Sequence, residues 1–315
     1  MEERLTAILR LALKYEATDI HFILKFNEVD ILMRIDGLMR KVKTKVDDYR
    51  LIRYLQYLAN LDVGNLNKPQ TGQFEMQVDD NLLSLRFAVV NSFNMTNGVL
   101  RILNSNLKVS ADNLSTSKDQ NDYFKSLLEK ENGLILFAGP TGSGKTTTLY
   151  SLLKSVKNKI ICTIEDPIEV YHEDFVQIQV NEKQHTDYEE GIKELMRHDP
   201  DIIMIGEIRD DKAAKMAVRA ANTGHLVLST IHASSASAII SRMVDLGVNE
   251  NHLYEMLLAL IYQRMIIDKE GSKRVIYEIM DKDEIAYYKK YKCNSKDFIS
   301  VDAQIEKGRL DGIYW

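Results

Sequence analysis

The chain has few cysteines, no long apolar run and no excess of positive charge. Its two cysteines, Cys162 and Cys293, are far apart and form no C-x-x-C pair, which argues against a disulfide framework and a cysteine zinc site and fits a reducing cytosol. The longest apolar runs, such as residues 257–262, are far too short to span a bilayer. The formal net charge of −5 gives no global attraction to nucleic acid or anionic lipid, so any such contact has to be local.

Low-complexity tracts and repeats are also missing from the sequence, and we expect no signal peptide. Residues 1–5, Met-Glu-Glu-Arg-Leu, do not show the charged-then-apolar layout of a signal peptide. The 315 residues are 45% hydrophobic and 28% charged, which is typical of a soluble globular protein with room for two domains and a small third. We therefore expect a cytoplasmic protein.

The strongest signal is the stretch 139–146, Gly-Pro-Thr-Gly-Ser-Gly-Lys-Thr, which matches the phosphate-binding pattern G-x-x-x-x-G-K-[ST]. A short apolar run at 133–138 predicts a buried strand before it, and residues 146–153 have helical spacing after it. Backbone N–H groups of such a loop and the helix N-terminus together bind phosphate. Lys145 is expected to reach the β- and γ-phosphates, and the hydroxyl of Thr146 to ligate Mg²⁺. The predicted nucleotide-binding residues are Gly139, Pro140, Thr141, Gly142, Ser143, Gly144, Lys145, Thr146 and Thr147.

Two predicted strands end in carboxylates, as a P-loop enzyme needs for holding Mg²⁺ or polarising water. The apolar run 203–207 ends in Glu207, and the run 162–167 carries Glu165 and Asp166 where Pro167 stops the strand. Parallel strands would bring these carboxyl ends to the edge where ligands of open α/β sheets bind. Each carboxylate alone also fits a solvated strand end, but the pair beside a P-loop favours a functional site.

Two histidines, His225 and His232, bracket the next predicted strand. His232 follows the strand and would share an edge with Glu207. Taken alone, it fits a phosphate-sensing role and an ordinary packed or surface role equally well.

The predicted elements divide the chain into two domains. Residues 1–105 mix helix and strand as an α/β domain, with alternation too irregular to give a topology, and the polar, Asn- and Ser-rich residues 106–120 predict a linker. From 121 to 246, strands and helices alternate, which predicts a parallel sheet covered on both faces. Residues 247–315 are predicted to be mainly helical, with helix up to about 265 and a short strand pair within 265–281.

Four motifs in this order resemble those of the type II secretion and type IV pilus assembly ATPases. The P-loop segment 139–150 is similar to their Walker A, 163–169 resembles their Asp box, 195–210 their atypical Walker B with glycine at the usual aspartate position, and 223–232 their His box. Upstream, 17–22, 34–37 and 69–73 resemble their N-terminal domain. The resemblance implies a PAS-like α/β domain followed by a RecA-like P-loop ATPase domain with a helical C-terminal extension.

The resemblance also implies roles for residues around a bound Mg·ATP. Glu165 would be the general base or the carboxylate that orients water, and Glu207 would act through Mg²⁺ and its water shell. His232, with His225 behind it, and Arg209 would sense the state of the nucleotide.

Two arginines of the N-terminal domain, Arg86 and Arg101, match those that this family brings onto the γ-phosphate. Without the resemblance, each arginine would more readily be interpreted as an ordinary surface residue of a strand. Members of the family form hexameric rings, so the sites would lie at the seams between domains and subunits.

Departures from the family pattern narrow the assignment. Cys293 is the sole cysteine after the His box, so the four-cysteine zinc loop of Gram-negative extension ATPases is missing and no zinc is expected. We also expect the protein to lack their long extra N-terminal domain. In both respects the chain resembles the competence-pilus ATPases of Gram-positive bacteria. The retraction ATPases are similarly short, but their Ala-Ile-Arg-Asn-Leu-Ile-Arg-Glu signature does not occur here.

The sequence therefore predicts a cytoplasmic, hexameric Mg²⁺-dependent ATPase that drives assembly of a competence pilus. We expect it to act through a polytopic inner-membrane platform protein, with peripheral membrane contact through that partner and no direct contact with nucleic acid. The alternatives are a retraction or type II secretion motor of the same family, a RecA-like nucleic-acid motor and a nucleotide-gated scaffold. A nucleic-acid motor is disfavoured by the acidic balance and by the lack of a basic stretch interleaved with aromatics.

Overall fold

The computed structural model describes residues 1–26, 28–35, 37–64, 68–103, 109–180 and 187–313. The chain divides into two compact units, one of Met1–Asn106 with Glu169–Tyr171 and one of Leu107–Ile168 with His172–Trp315. Asp36 of the upstream motif and residues 106–108 of the predicted linker lie outside the described residues. None of the helices in these ranges combines the length and the apolar character that crossing a membrane requires.

The first unit is a six-stranded antiparallel sheet with two helices packed on one face. The helices are α1 (Glu2–Lys14) and α2 (Leu51–Leu58). Strands β1 to β6 are Asp19–Lys25, Glu28–Ile35, Leu38–Val42, Gln70–Val78, Asn81–Ser92 and Met95–Leu103. The spatial order is β3-β2-β1-β6-β5-β4, a topology that the sequence pattern did not provide.

Alternation of side chains along these strands explains why one face of the sheet binds the helices. Ile20, Phe22 and Phe87 point to the face that α1 and α2 cover with residues such as Leu9 and Leu55, and all five side chains are fully buried. The other face carries polar residues, including the arginines considered below.

The second unit is a seven-stranded sheet with helices on both faces. Strands β7 to β13 are Gly133–Ala138, Ile161–Glu165, Phe175–Gln179, Ile202–Ile208, Leu226–Ile231, Leu257–Ile267 and Lys273–Met280. Their order is β13-β12-β7-β11-β10-β8-β9, and every pair is parallel except β12 with β13. The carboxyl ends of β7, β11, β10 and β8 therefore meet at one edge of the sheet.

Helices α3 to α10 precede, connect and follow these strands, and most of them begin where a side chain caps them. They are Lys118–Leu127, Lys145–Ser155, Tyr188–Leu195, Asp211–Asn222, Ala238–Asp245, Glu250–Met256, Lys282–Tyr291 and Val301–Leu310. Ser117, Asp187, Asp210, Asp281 and Ser300 each accept a hydrogen bond from a backbone N–H of the first turn. Such caps satisfy N–H groups that a helix leaves without partners.

The predicted helix from 247 to about 265 is wrong in its second half. Helix α8 ends at Met256, and strand β12 runs from Leu257 to Ile267 between β7 and β13. Residues 257–261 are all buried, and a short apolar run of this kind cannot be assigned to strand or helix from periodicity alone.

Candidate active site

The glycine loop connects β7 to α4 with a backbone that requires its glycines. Gly139, Gly142 and Gly144 have φ angles of 151°, 80° and 86°, in the region that disfavours residues with a Cβ atom. A Cβ on Gly139 would also stand 2.3 Å from the carbonyl oxygen of Gln263. The sequence-predicted loop is therefore a tight nest of backbone at the N-terminus of a helix.

Lys145 is the first residue of α4 and folds over this loop. Its Nζ donates to the carbonyl oxygens of Gly139, at 2.8 Å, and Pro140, at 3.1 Å. Thr146 and Thr147 follow in the first turn and are half-buried, and that turn contains no acidic residue. A lysine ammonium and the N–H groups of a helix N-terminus at one place suit an anionic ligand such as phosphate.

Strand β12 supports the loop from beneath through a residue that sequence reasoning missed. The side chain of Gln263 is fully buried, and its Nε2 donates to the carbonyl oxygen of Ser143 at 2.6 Å. Within the described part of the chain, Oε1 of Gln263 and Oγ of Ser143 have no hydrogen-bond partner. Because this segment was expected to be helical, its sequence gave no sign that Gln263 would lie under the loop.

Glu165 ends β8 with its side chain almost completely buried. Its Oε1 accepts hydrogen bonds from the hydroxyls of Tyr150, at 2.6 Å, and Thr163, at 2.7 Å. Nε2 of Gln177 on β9 donates to the hydroxyl oxygen of Tyr150 at 2.8 Å. Burial and the adjacent Glu165 carboxylate raise the pKa of Tyr150, so that its hydroxyl keeps its proton and acts as the donor.

Glu207 lies in an ionic network that joins the ends of three neighbouring strands. Its Oε1 lies 2.9 Å from Nε2 of His232, and its Oε2 accepts from Nε of Arg209 at 2.8 Å. Nη1 of Arg209 donates in turn to Oδ2 of Asp166 at 3.3 Å. The hydrogen bond to Glu207 raises the pKa of the Arg209 guanidinium above its usual value. The structure thus brings together four of the residues that the motifs singled out.

A bulge in β10 at Gly206 and Glu207 explains how this network forms. The pairing of β10 with β11 shifts register between Ile205 and Ile208. The hydroxyls of Ser229 and Thr230 donate to the carbonyl oxygens of Ile205, at 2.8 Å, and Gly206, at 2.6 Å. Side chains thereby satisfy carbonyls at the irregularity, and bulges commonly redirect a side chain beside an active site.

His225 is not brought into the network. It precedes β11, whereas His232 follows it, and six residues at about 3.3 Å each separate the two edges by about 20 Å. Its Nδ1 lies 3.1 Å from the carbonyl oxygen of Ala220 at the end of α6. In this chain its contacts are those of a residue that packs against a helix end.

Arg86 and Arg101 lie on the face of the first unit's sheet that is opposite its two helices, and they are paired directly on β5 and β6. Asp19 of β1 is opposite Arg101, and Arg34 of β2 is opposite Asp19. Nε of Arg101 donates to Oδ1 of Asp19 at 2.7 Å. Burial opposes ionisation of Asp19, but the Arg101 guanidinium holds the pKa of this carboxyl below its usual value. Arg34, Asp19, Arg101 and Arg86 thus form a row across the sheet. Its three arginines and one carboxylate have a net positive charge that suits an anionic ligand.

The residues at the sheet edge fit a Mg²⁺ ion that comes with a nucleotide. Among the described residues, no group of three or more His, Cys, Asp or Glu side chains is placed to hold a metal ion. Mg²⁺ in nucleotide sites is bound by one or two protein ligands together with phosphate oxygens and water. The Thr146 hydroxyl in the first turn of α4 would be one such ligand, and the Glu207 carboxylate at the edge of the sheet would act through the water shell of the ion.

Comparison with known proteins identifies relatives along most of the chain. The profile of the family described as "Type II/IV secretion system protein" matches residues 1–310. Competence protein ComGA of Bacillus subtilis (strain 168) is 39% identical over 256 residues, which are 80% of this chain and 72% of that protein. The putative type II secretion system protein E of Escherichia coli (strain K12) is 38% identical over 268 residues, 83% of this chain and 54% of that protein.

Solved structures share the fold over nearly the whole length. The Legionella pneumophila ATPase DotB has a TM-score of 0.78 at 19% identity and covers 100% of this chain and 94% of its own. The pilus retraction motor PilT, solved with bound ADP, has a TM-score of 0.76 at 26% identity and covers 98% of this chain and 94% of its own. These similarities confirm the expected fold class, an α/β domain followed by a RecA-like ATPase domain.

Proposed function

Because the chain belongs to the Type II/IV secretion system protein family and is an ATPase of such machinery, we propose that it drives assembly of a competence pilus for DNA uptake. One observation carries the choice of competence. Competence protein ComGA of Bacillus subtilis is 39% identical to this chain over 256 residues, and ComGA of Halalkalibacterium halodurans is 38% identical over 265 residues.

Lys145 and the glycine loop would bind the triphosphate. The carbonyl groups of Gly139 and Pro140 now hold the ammonium beside the helix N-terminus. Phosphate oxygens would replace these carbonyls as acceptors, because a charged oxygen forms a stronger hydrogen bond with the ammonium than a neutral carbonyl does. The positive end of the helix dipole also stabilises an anion at this place. A bound Mg²⁺ would neutralise phosphate charge, with the Thr146 hydroxyl as a ligand and Glu207 acting through water.

Glu165 would orient the attacking water and accept its proton. Its support is the buried place at the end of β8, where two hydroxyl groups fix one carboxylate oxygen. A carboxylate with a fixed orientation places water for in-line attack without reorganisation at the moment of reaction.

The Glu207 network would report the state of the nucleotide. His232 and Arg209 are held by the two oxygens of one carboxylate, so a change of charge at the phosphates alters both contacts through Glu207. Arg86 and Arg101 would stabilise the charge that develops at the γ-phosphate, a contribution worth about 10³–10⁵ in rate in related chemistry.

Hexameric rings would place such arginines and the P-loop at seams between domains and subunits. The nucleotide state would then shift packed domains whose arrangements differ by a few kcal/mol, and a polytopic platform protein in the membrane would receive this motion. Membrane contact would be peripheral and through that partner, at the cytoplasmic face.

A strain that carries Lys145→Ala tests the proposal, with Lys154→Ala on the exposed side of the same helix as the control. We expect Lys145→Ala to abolish transformation and surface pili, whereas Lys154→Ala keeps both. Pili that accumulate instead would identify a retraction motor. Normal transformation together with loss of a secreted protein would identify a type II secretion motor.

A further inference from the structure

Tyr150 connects the P-loop helix to the carboxylate at the end of β8. It lies on the second turn of α4, five residues after Lys145, and its side chain is fully buried. Its hydroxyl reaches Oε1 of Glu165 at 2.6 Å, and its ring stacks on that of Phe175 with centroids 6.2 Å apart. The ring packing and the hydroxyl contact are thus distinct interactions, and substitution by phenylalanine removes the hydroxyl contact while it keeps the ring.

The hydroxyl of Tyr150 is the centre of a buried chain of hydrogen bonds. Gln177 donates to it, and it donates to Glu165, which also accepts from Thr163 of its own strand. Hydrogen bonds in such a chain polarise one another in a low-dielectric interior, and removal of one donor leaves a buried carboxylate less well compensated.

We propose that Tyr150 is a positioning residue for Glu165, one that fixes the orientation of its carboxylate and favours its ionised form. This inference rests on the proposed role of Glu165 in hydrolysis. Because Tyr150 belongs to the helix that starts at Lys145, it also makes the phosphate-binding loop and the carboxylate parts of one rigid arrangement.

Among the described neighbours of Glu165, Nε2 of Gln177 approaches Oε1 only at 3.5 Å, whereas the hydroxyl of Tyr150 reaches it at 2.6 Å. On the side of β10, Gly206 presents no side chain. From α5, Tyr188 is a neutral neighbour, since burial and the carboxylates of Asp166, Glu207 and Glu165 raise its pKa against the effect of Arg209. Thr163 donates from the same strand and moves with Glu165, so Tyr150 is the donor that couples the carboxylate to α4.

The test is Tyr150→Phe in the purified full-length protein, with Tyr277→Phe as the matched control. Tyr277 is also a buried tyrosine whose hydroxyl contacts α4, but at Thr148, 3.1 Å away. We expect Tyr150→Phe to lower kcat about tenfold or more with KM for ATP within about twofold, because a hydrogen bond to a charged group is lost. The acidic limb of its kcat–pH profile should move to higher pH, since the lost donor favoured the ionised carboxylate. Tyr277→Phe should keep kcat within about twofold and leave the profile in place.

Glu165→Gln, alone and combined with Tyr150→Phe, separates this inference from the proposed function. If Tyr150 acts through Glu165, the double variant should be no slower than Glu165→Gln. A tenfold further loss in the double variant, or an unchanged kcat and pH profile in Tyr150→Phe beside an inactive Glu165→Gln, would overturn the positioning role while the role of Glu165 stands. Full hydrolysis by Glu165→Gln would remove the proposed role itself and this inference with it.

Discussion

Gly206 and Glu165 lie so close on neighbouring strands that a Cβ atom on Gly206 would stand 3.2 Å from Cγ of Glu165 and 3.3 Å from its Cα. The glycine that replaces the usual aspartate of the Walker B motif therefore makes room for the carboxylate of the Asp box. In this chain the two segments pack directly against each other, with the side chain of Glu165 on β8 beside the position on β10 that has no side chain.

Gly206→Ala should crowd Glu165 and disturb its bond with Tyr150. We expect the free energy of unfolding to fall by about 1–2 kcal/mol, as for a small overpacking, and hydrolysis to fall at least tenfold while a fluorescent ATP analogue still binds. Urea unfolding and steady-state kinetics measure both effects. In a Glu165→Ala background the Cγ atom is absent, so the same substitution should cost less stability, and equal costs in the two backgrounds would refute the contact.

Gln263 should be needed for the shape of the glycine loop. Gln263→Leu keeps the volume of the side chain but leaves the buried carbonyl of Ser143 without its donor, which costs about 1–3 kcal/mol. We expect the Kd for ATP to rise by about fivefold or more and Tm to fall. The control is Arg264→Ala, the next residue on β12, whose exposed side chain contacts Asp302. Equal affinities in Gln263→Leu and wild type would show that the loop holds its shape without β12.

The glycine loop could be predicted from sequence because all of its parts are contiguous, from β7 to the first turn of α4. The support beneath it could not, because Gln263 and Ser143 are 120 residues apart and meet only when β12 pairs with β7. The two carboxylates were predictable as strand ends, since parallel strands end at one edge. The bond from Tyr150 to Glu165 was not, because it depends on where a helix residue points, and that follows from packing and not from spacing.

The first unit shows the same limit in its sheet. Arg86 and Arg101 were predicted as residues of late strands, but their direct opposition depends on the register between β5 and β6. The placement of Asp19 between Arg101 and Arg34 likewise depends on the order in which β1, β2 and β6 pair. Irregular alternation leaves register undetermined, because a slip of one residue moves every side chain to the other face.

Acid should destabilise the first unit through Asp48. Its buried carboxylate accepts from Nε and Nη2 of Arg4, at 2.9 and 2.8 Å, and from the backbone N–H of Lys45. Burial opposes ionisation, but Arg4 and Lys45 hold the pKa of Asp48 below its usual value. A carboxyl group whose folded pKa is depressed contributes its stability above the unfolded pKa, about 3.9, and loses it as pH falls toward the folded value.

Asp48→Asn should therefore lower the free energy of unfolding by about 2 kcal/mol at pH 7 and flatten its dependence on pH below about 5. Urea unfolding at pH 7, 4 and 3 provides the measurement. Asp79→Asn is the matched control, because Asp79 also pairs with an arginine, Arg10, but with both side chains more than half exposed. Such surface pairs contribute little. An acid dependence as steep in Asp48→Asn as in wild type would exclude this carboxylate as its source.

The two cysteines should differ in reactivity if the parallel sheet forms as described. Cys162 is fully buried within β8, and burial raises the pKa of its thiol to about 11, whereas Cys293 is exposed. Only the thiolate reacts with iodoacetamide, so at pH 8 we expect Cys293 to be modified within minutes and Cys162 only after unfolding. Peptide mass spectrometry distinguishes the two sites, and fast labelling of Cys162 in the folded protein would contradict the buried position of β8.

Mixing two inactive variants should reveal whether the arginines act across a subunit seam. Lys145→Ala retains Arg101 but cannot bind phosphate, and Arg101→Ala retains an intact glycine loop. In a ring with head-to-tail contacts, an Arg101→Ala subunit regains a complete site when its neighbour is a Lys145→Ala subunit that supplies the arginine. Random mixing of the two variants in equal amounts gives this arrangement at about a quarter of the subunit interfaces. We therefore expect the mixture to recover about a quarter of wild-type hydrolysis at most, far above the sum of the separate variants. If Arg101 served the glycine loop of its own chain, no subunit in the mixture would carry both groups, and the activity would stay at that sum.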